Sequence, residues 1–236
     1  LTLAVGQLLR FGWTATFLVY TFCFLVLGLF LLFVPYEKGE VHQHKQAKKE
    51  KMTAGQFRFT LLSALVAGVI VLSNTAINLR VPSLVLYHQI GTAQTASLIL
   101  SAMQLIGIVA GVSFAPMVGI FKDRLLTIIG ICFGLSLILI GLSSNIWLLA
   151  FSALFAGFTY SITLTTIFHT VSEKIPPHLI NQAVSITVLG CSGGASVTTF
   201  ILSLIGHLSQ APLFIFSVLG GIMMVIAMLS YNITKE

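Results

Sequence analysis

The chain has 236 residues, of which 57% are hydrophobic and 8% are charged, and it carries a formal net charge of +6. This composition excludes a soluble globular domain of ordinary size. It also excludes nucleic-acid binding as the reason for the positive charge, because the basic residues lie between apolar stretches and form no soluble folded face.

Apolar stretches long enough to cross a bilayer core of about 30 Å as helices follow one another along the chain. Hydrocarbon offers no hydrogen-bond partners to backbone groups, so a spanning segment must be a helix or part of a closed barrel. The stretches do not alternate between polar and apolar residues, which favours helices. The predicted spans are Phe11–Val34, Phe59–Ile77, Ala96–Ile120, Leu125–Leu142, Ile146–Phe168, Ala183–Ile205 and Pro212–Tyr231. We predict an all-α polytopic transmembrane helix bundle, in which short connections make sequential helices neighbours.

The chain divides into three predicted parts. Leu1–Leu9 is apolar but too short to cross a membrane, and it has neither an initiator Met nor a basic leader. We interpret it as the end of a truncated helix, and we expect the chain to be a fragment of a longer protein. Residues 1–35 then hold this helix and the first full span, residues 36–56 form a basic loop, and residues 57–236 form a six-helix bundle.

Positive charge is distributed unequally between the two sides of the predicted bundle. Two basic residues, Arg10 and Arg80, fall on one side, and ten fall on the other. The ten are Lys38, Lys45, Lys48, Lys49, Lys51, Arg58, Lys122, Arg124, Lys174 and Lys235. Because cytoplasmic loops carry the excess of Lys and Arg, we predict that the basic loop and the C-terminus are cytoplasmic. The expected location is the cell (plasma) membrane.

Two clusters of small residues predict close helix packing. The third span has them every four positions, at Gly107, Gly111, Ala115 and Gly119. The sixth span has a second cluster that includes Gly190 and Gly194. Small residues on one face let a neighbouring backbone approach closely. The same smooth faces would also suit helices that slide during a conformational cycle, and both interpretations remain open.

A short loop follows the third span and reads Gly119-Ile-Phe-Lys-Asp123-Arg124. This Gly-x-x-x-Asp-Arg pattern resembles the second-half copy of the signature loop of major facilitator superfamily transporters. The surrounding order is similar to the C-terminal half of that family, because a long basic loop precedes six spans. A turn containing Pro176 and Pro177 also precedes a Gly-rich span. The family's loop usually continues with Gly and further basic residues, whereas Leu125 follows here.

The resemblance implies half of a 12-helix fold, from the end of helix 5 through helix 12. The missing N-terminal half of the same transporter would be its partner. The resemblance also implies a cytoplasmic gate at Gly119, Asp123 and Arg124. Charges at a membrane–water boundary pair more strongly when closure excludes water. A pair made in only one state would therefore bias a two-state equilibrium.

Polar side chains within the spans are candidates for a substrate cavity. They are Asn74 and Asn78 in the second span, Gln104 in the third, and Tyr160 and Thr163 in the fifth. A buried amide is costly unless it is paired or faces water, so cavity lining and helix-to-helix hydrogen bonding both remain open. Threonine hydroxyls can bond their own helix, which favours packing. The resemblance implies that the second and fifth spans line the central cavity.

The resulting hypothesis is a secondary active transporter that works by alternating access. We expect it to export lipophilic or drug-like compounds coupled to protons, with uptake of a sugar or another small metabolite as the alternative. The predicted spans contain no Asp or Glu, so a proton carrier is expected outside them.

A membrane-embedded enzyme and a seven-helix receptor are more distant alternatives, because the sequence has neither a catalytic motif nor a receptor signature. The expected partners are a small-molecule substrate and the lipid bilayer, without nucleic acid or cofactor. His42 and His44 lack supporting ligands, so no metal site is predicted.

Overall fold

The structure is a computed structural model that describes residues 18–33, 52–121, 124–208 and 211–235. Within these residues the chain forms seven α-helices and a short 3₁₀ turn, and no strand. The helices are α1 (Leu18–Phe33), α2 (Ala54–Tyr87), α3 (Ala93–Phe121), α4 (Leu125–Leu142), α5 (Ile146–Lys174), α6 (Ile180–Leu208) and α7 (Pro212–Lys235). Six of them, α2 to α7, are long and apolar enough to cross a membrane. The predicted all-α helix bundle is confirmed.

Most helices extend beyond the spans that hydropathy predicts. Helix α4 has the predicted ends, but α2 starts at Ala54 and not at Phe59, and it ends at Tyr87 and not at Ile77. Its 34 residues correspond to about 51 Å, more than the hydrocarbon core of about 30 Å. Hydropathy marks only the part of a helix that lies in lipid. Residues 54–56, which we predicted to belong to the basic loop, form the first turn of α2.

Local sequence signals set several helix ends. Thr53 and Gln56 form a capping box at the start of α2. The Thr53 hydroxyl accepts from the Gln56 N–H at 3.4 Å, and the Gln56 side-chain oxygen accepts from the Thr53 N–H at 3.0 Å. At the start of α5, the Asn145 side chain accepts from the backbone N–H of Trp147 at 3.3 Å. Pro212 is the first residue of α7, where a missing N–H costs nothing.

The main helix pairs of the bundle are not the ones that the short connections predict. Helix α2 packs along α6, α4 along α7, and α3 along α5. Among the described helices, only the pair α4 and α5 is both sequential and extensive. The expectation that sequential helices pack as neighbours is therefore wrong for most of the bundle. The extensive helix pairs have glycines at their closest contacts, where the missing side chain lets two backbones meet.

The contact between α2 and α6 is backbone on backbone. A Cβ atom added at Gly68 of α2 would lie 2.8 Å from the carbonyl oxygen of Gly190 in α6. Added Cβ atoms at Gly190 and Gly194 would overlap the backbones of Ala64 and Gly68. Gly190 and Gly194, which the sequence places at a helix contact, thus lie where any side chain would separate the two helices.

Two further helix pairs also have glycines at their contacts, and these glycines were not among the predicted packing residues. In α4 and α7, an added Cβ at Gly134 would lie 2.8 Å from the carbonyl oxygen of Gly220. In α5, an added Cβ at Gly157 would overlap the backbone of Met103 in α3. Every one of these three helix pairs therefore depends on at least one missing side chain.

The small-residue series of α3 packs only in part. An added Cβ at Gly107 would lie 2.9 Å from the Ser161 hydroxyl of α5, so this residue is at a contact. Gly111 is exposed, and nothing lies within 4 Å of an added Cβ there or at Gly119. Gly111 thus makes no close contact among the described residues, and its packing role stays a prediction.

Helix α1 contributes little to the bundle. It makes no extensive contact with the other described helices, and its apolar side chains are exposed, for example Leu32 at 81%. The boundary predicted between residues 35 and 57 cannot be followed further, because residues 34–51 lie outside the described part. The division of the chain into three parts stays a prediction.

We expect Gly194→Val to destabilise the protein by about 1–3 kcal/mol, because the new side chain must push the backbone of α2 away. Gly193→Val is the matched control, since an added Cβ at Gly193 meets nothing within 4 Å. Thermal unfolding in detergent should show a lower Tm for Gly194→Val alone. Equal Tm values for the two variants would contradict the backbone contact.

Candidate functional site

One face of α6 carries polar side chains along most of its length. Its exposed members recur at spacings of three, four or seven residues, which places them on one side of a helix. They are Asn181, Ser185, Ser192, Ser196, Thr199 and Ser203, and we call them the polar stripe. From the first member to the last the stripe runs about 33 Å at 1.5 Å per residue, the thickness of a bilayer core.

The polar stripe lies opposite the face of α6 that packs on α2. That packed face carries Gly190 and Gly194, and Thr187 and Thr198 on the same side are buried. The row is interrupted between Ser185 and Ser192, where Val188 and Leu189 are exposed on the same side. A surface in contact with lipid tails gains from apolar side chains, so repeated polar residues on one helix face favour water or protein as the neighbour. Ser185 and Ser196 donate to the carbonyls of Asn181 and Ser192, at 2.7 and 2.8 Å, which keeps their hydroxyls satisfied in a dry state.

A second unpacked face lies on α3. Gln104 is exposed there, on the same side of the helix as Gly111, Ala115 and Gly119, which are exposed as well. This face has one amide and otherwise small or apolar side chains. The Gln104 side chain is thus available to a solute or to another helix.

The amide of Asn74 is the most unusual polar group of the bundle interior. Asn74 is 8% exposed, and its side-chain oxygen has no hydrogen-bond partner among the described residues. A buried polar group without a partner costs about 1–3 kcal/mol. The Asn78 side chain, by contrast, donates to the Asn74 carbonyl at 2.9 Å within the same helix. Asn74 is therefore the amide that retains an unused acceptor.

The two candidates in α5 differ in what they contact. Tyr160 is half-buried, and its ring centroid lies 6.1 Å from that of Phe133 in α4. Thr163 is buried, and its hydroxyl donates to the Thr159 carbonyl at 2.7 Å. Thr163 thus fills the core and satisfies its own hydroxyl, whereas Tyr160 packs between α4 and α5.

The gate candidates can be followed only in part. Gly119 is exposed near the end of α3, and Arg124 is exposed immediately before α4. Asp123 lies outside the described residues. At the same end of the bundle, the His169 ring approaches Glu173 at 3.8 Å and packs edge-on against Phe114. A gate formed by the loop stays a prediction.

The described residues hold no group of three or more His, Cys, Asp or Glu side chains that could bind a metal ion. His42 and His44 lie outside them. Within the described helices, the side chains that could bind a solute are neutral hydroxyl and amide groups. Charged side chains lie near the helix ends.

The polar stripe is the feature that sequence analysis missed. The glycine cluster of the sixth span predicts packing, and the serines and threonine of the stripe lie between and beside those glycines. The signal is nevertheless present, because polar residues in an apolar span recur at the period of a helix. A periodicity count for Ser and Thr in each span would have found it.

Comparison with known proteins gives one match. A family model described as Major Facilitator Superfamily matches residues 1–199. No curated protein and no solved structure gives a significant match.

If the polar stripe faces water, cysteines placed on it should react with a membrane-impermeant maleimide, because the thiolate forms only where water reaches it. In a background with the native cysteines replaced by Ala, Ser192→Cys and Ser196→Cys should label at least about tenfold faster than Val197→Cys. Val197 is the matched control, since it is 46% exposed on the apolar side of α6. Equal labelling at the three positions would exclude a water-facing stripe.

Proposed function

The chain belongs to the major facilitator superfamily and is a multi-pass membrane transporter, and we propose that it moves a small solute by secondary active transport. In this mechanism two helical halves rock about a central site and expose it to each side in turn. The six membrane-spanning helices α2 to α7 would form one of the halves. The other half would come from outside this sequence.

The polar stripe is the observation that supports the proposal best. A transporter needs a wall that is wet in one state and dry in another. The hydroxyls of the stripe suit both conditions, since serine can bond either water or its own helix. Ser192 and Ser196 lie near the middle of α6, and solute sites of such carriers lie near the bilayer midplane. We therefore assign the stripe to the wall of the solute path.

Asn74 is the proposed anchor for the solute. Its side-chain oxygen is buried without a partner among the described residues. A donor group on the solute would supply the missing hydrogen bond and so remove the cost of burying an unpaired acceptor. Tyr160, Asn78 and Gln104 are further cavity candidates, with Tyr160 available for stacking or hydrogen bonding. Thr163 would act through the shape of the core, because its hydroxyl is already engaged.

For the solute itself we propose a neutral, lipophilic or drug-like compound that is exported in exchange for protons. The stripe carries no charge, and large apolar side chains border it, among them Leu189 and Phe200, both 70% exposed. An amphipathic solute matches such a surface. His169 and Glu173 are the titratable pair that the described part of the chain could offer to proton coupling.

Uptake of a sugar or another small metabolite is the second candidate. The six uncharged hydrogen-bonding side chains of the stripe favour it, because hydroxyl-rich solutes need many such partners. The proposal of secondary active transport, with either solute, also includes a gate at Gly119, Asp123 and Arg124. It places the protein in the plasma membrane with its C-terminus in the cytoplasm.

Asn74→Leu should weaken transport by the full-length protein in proteoliposomes. Loss of one buried hydrogen bond of about 1–1.5 kcal/mol raises the half-saturation concentration about five- to tenfold. Thr166→Val is the control, since Thr166 is buried and its hydroxyl donates to the Ile162 carbonyl of its own helix. Unchanged transport by Asn74→Leu would remove this residue from the solute site.

The solute class can be tested with the same proteoliposomes. We expect an imposed proton gradient to drive a neutral lipophilic dye against its concentration gradient, with no accumulation of labelled hexose. Collapse of the gradient by an ionophore should abolish the movement of the dye. Hexose accumulation without dye transport would favour the second candidate instead.

A further inference from the structure

A cavity of about 500 Å³ lies between the start of α2 and the end of α5. It is at the end of the bundle that carries the predicted basic loop, far from the middle of the polar stripe. Its lining residues are Gly55, Gln56, Arg58, Phe59, Leu62, Lys174 and Ile175. None of the roles proposed for the solute path uses this cavity.

The lining of the cavity is cationic. Arg58 and Lys174 are the charged residues among those that line it, and both are basic. The Lys174 ammonium lies 5.3 Å from the centroid of the Phe59 ring, a cation–π distance that holds the side chain at the cavity wall. Among the described residues, Arg58 forms no ion pair with a carboxylate. The charge of the cavity therefore favours an anionic ligand.

Apolar side chains line the cavity beside its basic residues. Phe59 and Leu62 are among them, and both also border a second space of about 30 Å³ between α2, α4, α5 and α7. That second space has room for about one water molecule and is lined partly by hydroxyl groups, so an acyl chain does not enter it. The apolar wall of Phe59 and Leu62 next to Arg58 and Lys174 matches a ligand with an anionic head and a hydrocarbon chain.

The cavity also opens at the level where such ligands occur. Apolar side chains on the neighbouring surface of α2 are exposed, with Phe57 at 48% and Leu61 at 44%. Side chains of this kind border lipid, so the mouth lies at the boundary between the headgroups and the acyl chains. A soluble anion would leave the apolar wall formed by Phe59 and Leu62 uncovered.

We propose that this cavity binds an anionic phospholipid of the adjacent leaflet. The phosphate accepts hydrogen bonds from Arg58 and Lys174, and an acyl chain packs over Phe59 and Leu62. Because Arg58 belongs to α2 and Lys174 to α5, the bound headgroup bridges the ends of two helices that carry solute-site candidates. The lipid thereby stabilises the arrangement of the bundle in which both helix ends are close.

The test uses the full-length protein in nanodiscs of phosphatidylcholine alone or mixed with phosphatidylglycerol. Phosphatidylglycerol should raise the Tm of the wild-type protein, and native mass spectrometry should detect retained molecules of it. Arg58→Gln combined with Lys174→Gln should reduce that retention at least about tenfold, because two charge-assisted contacts are lost. Arg80→Gln is the control for loss of a basic residue and should behave as wild type, since Arg80 lines a different cavity, near the other end of α2.

Two further arms separate a lipid from other occupants. Arg58→Lys in place of Arg58→Gln should restore part of the retention if the double variant is folded. Leu62→Trp should narrow the cavity and lower phosphatidylglycerol retention. Protection by inorganic phosphate equal to that by the lipid would overturn the proposal in favour of a soluble anion. The proposal would also be overturned if phosphatidylglycerol changed neither the Tm of the wild-type protein nor the number of retained lipid molecules.

Discussion

The backbone contact between α2 and α6 is the constraint on which the arrangement of this bundle depends. Hydrocarbon provides no hydrophobic drive for helices to associate, so close packing must supply the attraction. Gly68, Gly190 and Gly194 remove the side chains that would keep the two helices apart. Dispersion attraction between the two backbones is strongest when Gly190 and Gly194 face α2, and it therefore fixes the rotation of α6 about its own axis.

That rotation decides what the rest of α6 presents to its surroundings. With the glycines turned toward α2, the opposite face must point out of the bundle, and it carries the polar stripe. A rotation of α6 by half a turn would bury the serines and expose the glycines. The wall that we assign to the solute path is thus a consequence of packing on the other side of the same helix. Packing and proposed function share one element without sharing residues.

Polar groups inside the bundle separate into hydroxyls that are satisfied and two side chains, Asn74 and Thr127, that have an atom without a partner among the described residues. Threonines at 159, 163, 166 and 170 each donate to a carbonyl of their own helix, at 2.7 to 2.8 Å. They therefore make little demand on a partner. The side-chain oxygen of Asn74 has no such partner among the described residues. An unpaired polar atom costs free energy in an apolar interior, whereas a paired hydroxyl does not. We therefore propose Asn74 ahead of Thr163 as a solute contact.

The sequence by itself determined the membrane environment, the six spanning helices, the sharp ends of α4 and the family, because length and hydropathy are local properties of the chain. It could not determine that α2 extends to Tyr87, since helix outside the hydrocarbon has no hydropathy signal. It also could not determine which helices pair, because spacing identifies a small-residue face but not the partner of that face. Gly190 and Gly111 have similar sequence surroundings, yet only Gly190 meets another backbone within the described bundle. The tertiary structure alone decided that difference, since contact depends on the position and rotation of two helices that are distant in the chain.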